Sequence, residues 1–152
     1  MYKREKIKGV HIYWNGTNIF PLYKKCSGPI VSQRRINRLK YLVKMALEEE
    51  KGRIQQAFEL FARRRYPGKR VTMNLPLAIE RINNTHVCRG ESMYGESDET
   101  GIWIAKSKLS DAYLFGTMLH EAMHFLCTWS NNKYMSESDE HMVMRSLGED
   151  CL

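Results

Sequence analysis

An α+β domain is expected, with a small antiparallel sheet packed over one apolar helix, and three patterns in the chain carry that expectation. Apolar residues recur at helical spacing from Ile36 to Phe61. Strand-like alternation replaces them between Val71 and Ala105. A long run without Lys or Arg between Asp111 and Trp129 then returns to helical spacing. With 152 residues and 43% hydrophobic content, the chain suits one globular domain. We expect a basic N-terminal extension over residues 1–50, made of a short strand, a loop and a helix, followed by the main domain over 51–152.

Each element has a local reason. Val10 to Trp14 is rich in β-branched and aromatic residues and ends at Asn15-Gly16, so it reads as a short strand entering a turn. Ser32 is placed to cap a helix carrying Ile36, Leu39, Leu42, Val43, Ala46 and Leu47. After Glu48-Glu49-Glu50-Lys51-Gly52 the pattern resumes at Ile54, Ala57, Phe58, Leu60 and Phe61 and stops at Pro67-Gly68. This predicts two helices, or one bent near Gly52. Val71, Met73 and Leu75 alternate as a strand, and Ala78 to Ile82 reads as a helical turn or loop. His86 to Tyr94 and Gly101 to Ala105 read as two strands of a hairpin turning through residues 95–100. Ser110 or Asp111 caps the apolar helix, expected to reach about Trp129. A last helix starts near Ser136 or Ser138 and ends around Gly148.

The net charge is +7, from 24 Lys and Arg against 17 Asp and Glu, and most of the excess lies between Met1 and Arg70. Clustered cations of this kind suit nucleic acid or another polyanion, so nucleic-acid contact through the basic N-terminal half is one expectation, with a merely solvated face as the alternative. Cys26, Cys88, Cys127 and Cys151 form no C-x-x-C pair, which argues against a zinc ribbon or a disulfide framework and for reduced thiols. The N-terminus lacks a signal-peptide pattern, and no apolar run reaches membrane-spanning length. A cytoplasmic or nuclear protein, not secreted and without membrane contact, is expected.

Within the apolar helix stands His120-Glu121-Ala122-Met123-His124, an H-E-x-x-H pattern. Residues four apart lie one turn above each other on one helix face, so both imidazoles can converge on one zinc ion. Glu121 lies beside them and is the candidate catalytic residue, a general base that takes the proton of a zinc-bound water. The bland alternative is a structural network of buried histidines and carboxylate. Each buried polar group left unsatisfied costs about 2 kcal/mol or more, and zinc satisfies the two imidazoles together.

The order of helix, strand near Val71, Ile102-Trp103-Ile104 strand and Leu119-to-His124 motif resembles the minimal zincin fold of SprT-like metalloproteases, over roughly residues 54 to 147. It is also similar to small phage-type and ImmA-like zincins. Both resemblances imply zinc-dependent hydrolysis of a peptide or protein substrate. SprT-like proteins act on proteins crosslinked to DNA, which implies a role for the basic half. They use a downstream third histidine, often before glycine. This chain has no His-Gly, and its next histidine is His141. The glutamate-type families would place Glu140 or Glu137 there. Glu140, Val143, Met144 and Leu147 share one helical face, so Glu140 is the favoured third metal ligand beside His120 and His124, with His141 and Glu137 as alternatives.

Two further expectations concern the substrate. Gly101 to Lys106 is the candidate edge strand for pairing with an extended peptide. Tyr134 or His141 is the candidate for stabilising the oxyanion. The competing reading is a non-catalytic zinc-binding module that serves nucleic-acid or protein interaction, its metal closed by a fourth group such as Cys127, His86 or Cys88.

Overall fold

In the computed structural model, the residues described are 26–90, 93–98, 101–106, 109–131 and 133–148. The expected strand at Val10 to Trp14 lies outside them. The periodic stretch after Ser32 forms one helix, α1 (Gln33–Arg65), whose N-cap side chain accepts a hydrogen bond from the Arg35 N–H. Its buried positions, Ile36, Leu39, Val43, Leu47, Ile54, Phe58 and Ala62, run along one stripe on both sides of the polar interruption. Gly52 does not divide the helix. Its position is open, with nothing within 4 Å of where a side chain would start, and a glycine's cost of about 1 kcal/mol cannot outweigh an apolar stripe anchored at both ends. Because α1 runs through residues 50 and 51, both parts of it belong to one core.

The chain then turns at Pro67-Gly68, where Gly68 takes the positive φ that favours glycine (φ 92°). It continues through β2 (Val71–Met73) and α2 (Leu75–Asn83), the latter capped by Asn74. Upstream of α1 lies β1 (Cys26–Ile30). Beyond α2 come β3 (Thr85–Gly90), β4 (Met93–Asp98) and β5 (Gly101–Lys106). These form a four-stranded sheet in the order β1-β3-β5-β4.

The α+β class is observed, but the sheet is mixed rather than antiparallel: β3 pairs with β5 in parallel, Thr85 opposite Ile102, while β4 and β5 form the antiparallel hairpin. The single strand expected over His86 to Tyr94 is two, with β4 running back along the far side of β5. Consequently β5 is not an edge. It lies between β3 and β4, with Ile102, Trp103 and Ile104 buried, as a strand enclosed on both sides should be. Among the described residues, β1 and β4 are the edges of the sheet. Gly101 starts β5 against the Asn84 carbonyl, whose oxygen would sit 2.3 Å from an added Cβ, so any side chain there would displace the backbone.

The apolar helix is α3 (Asp111–Leu126), capped by Ser110 and packed against α1, α2, β4 and β5. It ends at Leu126 rather than near Trp129, because Cys127 turns extended and begins β6 (Cys127–Trp129), which pairs antiparallel with β2. The Asn74 N–H donates to the Leu126 carbonyl at 2.6 Å and so satisfies one of the helix's terminal acceptors. α4 (Glu137–Ser146), capped by Ser136, closes the described chain against α1 and α3.

Candidate metal centre

α3 places His120 and His124 one turn apart, and α4 brings His141 to the same point. The potential ligand atoms of these three side chains all lie within 4.8 Å of one another. Their ring centres form a nearly equilateral triangle of 5.2, 5.2 and 5.0 Å, with the ring planes inclined by 48° to 75°. The centre of such a triangle is about 3.0 Å from each corner. That is close to the ~3.2 Å obtained by adding a zinc–nitrogen bond of about 2.0–2.1 Å to the distance from a ring nitrogen to the ring centre.

Glu140 takes another place. Its Oε1 lies 2.6 Å from His124 Nδ1, so the expected third ligand meets a ring nitrogen of a cluster histidine. His141 joins the cluster from the next position on α4, a helix that contacts both α1 and α3 and buries Asp139, Glu140, Val143 and Met144 along one broad face. Glu137, largely exposed, has its Oε2 3.8 Å from His141 Nε2, beyond hydrogen-bond length. His141 Nε2 and Glu140 Oε2 are both buried without a hydrogen-bond partner.

The electrostatics follow from burial. Desolvation holds His124 below the ordinary 6.5, outweighing the Glu121 charge that acts the other way, and holds His141 low as well, with His124 and His120 adding to the effect. Both rings are therefore neutral at pH 7 and can offer a lone pair to a metal. Burial pushes the Glu140 carboxyl up to about 9, helped by Glu137, Glu121 and Asp139. Glu121 is buried at 8% exposure on α3, beside His120.

The converging group includes neither Cys127 nor His86. Tyr134 is half exposed with its ring edge-to-face on Phe125 at 6.1 Å. Cys127 is buried in β6, its thiol pushed up to about 12 by desolvation, and is not among the converging ligands. His86 stacks on Trp103 with ring centres 4.6 Å apart.

One contact had no signal in the sequence. The Tyr66 hydroxyl, just past the end of α1, donates to Asp139 Oδ2 at 2.8 Å across 73 positions of chain.

The basic half is partly consumed internally. Arg35 and Arg38 pair with Asp111 at the start of α3, and Lys40 and Lys44 donate to Asn83. By contrast, Arg63, Arg64, Arg70 and Lys133 are exposed and make no ion pair among the described residues. No helix of the described residues is long and apolar enough to cross a membrane. Compared with protein-family models, curated proteins and solved structures, the chain gives no significant match.

Proposed function

We propose that this chain is a zinc-dependent peptide hydrolase of minimal zincin type, in which His120, His124 and His141 hold the metal and Glu121 is the general base. The observation that carries this is the triangle of three imidazoles, sized for one zinc ion and containing a buried, unpartnered His141 nitrogen. Three protein ligands are the set that leaves a position open for chemistry, whereas structural zinc is closed by four.

Zinc in such a site polarises a carbonyl oxygen and brings the pKa of water to about 7. The protein's own groups do the rest. The Glu121 carboxylate takes the proton from the attacking water and passes it to the leaving amide nitrogen. His124 donates from Nδ1–H to Glu140 Oε1, which orients the ring so that Nε2 faces the cluster and increases its basicity. With a cation beside it, Glu140 is favoured as a carboxylate, reversing the effect of burial. Among the described residues β4 is an edge strand packed against α3, and its backbone can pair with an extended peptide, the role first expected of β5.

The test is peptide hydrolysis by the full chain before and after chelation. Activity lost with a chelator and restored by one equivalent of zinc supports the proposal. Hydrolysis indifferent to chelation contradicts it, and tight zinc binding with no hydrolysis of any unfolded protein favours the non-catalytic module.

The exposed cations at the end of α1 support a second element, recruitment to nucleic acid. No acidic residue occurs between Glu59 and Glu80 to offset Arg63, Arg64, Arg65, Lys69 and Arg70. Binding through several phosphates falls on the order of tenfold or more between low and physiological salt. A protein showing no such dependence lacks this surface.

A further inference from the structure

α4 reaches the rest of the site through two successive carboxylates that turn to different neighbours. Asp139 accepts from the hydroxyl of Tyr66, just past the end of α1, at 2.8 Å, and Glu140 meets His124 Nδ1 of α3 at 2.6 Å. Both carboxylates are buried, at 7% and 4% exposure. Successive residues on a helix point about 100° apart, so the two contacts pin α4 about its own axis in a way that neither does alone. The residue carried next on that helix is His141.

The geometry is unforgiving. An imidazole about 6 Å from a helix axis moves about 2 Å when the helix turns by 20°, whereas metal–ligand distances tolerate about 0.2 Å. Tyr66 is itself well held, because its ring packs edge-to-face on Phe61 at 6.1 Å and on Trp129 at 5.5 Å, and its N–H closes the last turn of α1 on the Ala62 carbonyl at 2.8 Å. Trp129 belongs to β6, the segment that leaves α3, so this phenol refers α4 to the same framework that carries the other two histidines.

We propose that Tyr66 is a positioning residue for the metal centre, fixing the rotation of α4 through Asp139 so that His141 meets His120 and His124. This rests on the three-histidine site proposed above. It goes beyond that reading in assigning a role to a residue that touches neither metal nor substrate.

The experiment measures Zn2+ affinity of the full chain by competition with a chromophoric chelator, alongside the melting temperature of each metal-free protein. Tyr66→Phe keeps the ring packing and removes only the donor; it should weaken zinc binding about tenfold, the scale of outer contacts to metal ligands. Asp139→Asn retains an acceptor for the hydroxyl and should bind nearly as wild type does, whereas Asp139→Ala should match Tyr66→Phe. Ile82→Val, a core truncation on α2, should lower the melting temperature without changing zinc affinity, which separates positioning from general stability. Wild-type affinity in Tyr66→Phe, or equal losses in Asp139→Asn and Asp139→Ala, would overturn the inference. Wild-type protein that binds no zinc would instead remove the three-histidine site, and this inference with it.

Discussion

α3 buries Leu114, Met118, Ala122, Met123, Phe125 and Leu126 around its histidines, whereas α4 buries two carboxylates, Asp139 and Glu140, beside only Val143 and Met144. The first helix is held by apolar contact on several sides and would stand in place without a metal. The second is held to its neighbours largely by directional polar contacts that need partners in the correct protonation state. Two ligands of the proposed site are thus built into the core, and the third is delivered by an element whose placement depends on a few hydrogen bonds.

The largest effect expected on the α3 side is chemical. Glu121→Gln should retain zinc and the fold while reducing peptide hydrolysis by on the order of 10²–10⁴-fold; steady-state kinetics with parallel metal analysis checks both halves. Next comes the core beneath the histidines. Met118→Ala, at a fully buried position, should cost about 2–5 kcal/mol in a denaturant titration. A loss much below that would mean that α3 is not the rigid half.

On the α4 side, Glu140→Gln should weaken zinc binding by about 10–100-fold with a smaller change in metal-free stability, because it alters the partner of a ligand rather than the core. Isothermal titration with zinc measures it. The smallest effect tests how α3 is tied to α1. The Arg35 guanidinium beside Asp111 holds its carboxyl below the ordinary 3.8, with Arg38 adding to the effect. The stabilisation is therefore complete above that pH and disappears as the pH falls through the lowered value. Asp111→Asn should be slightly less stable than wild type at neutral pH and converge with it in strong acid, as followed by circular dichroism. Divergence on acidification would contradict the assignment.

What could be read from the chain divides along the same line. The helical stretches of α1, α3 and α4 and the Ser32 cap were legible because helical period and capping are local, whereas the continuity of α1 through Gly52 and the choice between neighbouring caps of α3 and α4 were not. The approach of His120 to His124 follows from the same helical spacing. The parallel β3–β5 ladder was not legible, since nothing in a strand's own sequence says which neighbour it will choose, and a hairpin was the simplest joining of two nearby strands. Glu140 was favoured over His141 because a helical wheel follows only the apolar stripe of a helix, and α4 packs against two neighbours. Tyr66 and Asp139 carry no pattern linking them. Only the packing of α1 against α4 brings them together.

Whether three imidazoles hold one zinc ion is decided by metal stoichiometry in two variants. Wild type should carry one zinc per chain, His141→Ala should lose it, and Glu140→Ala should keep one weaker site. One zinc retained in His141→Ala and lost in Glu140→Ala would contradict it and make the glutamate the third ligand.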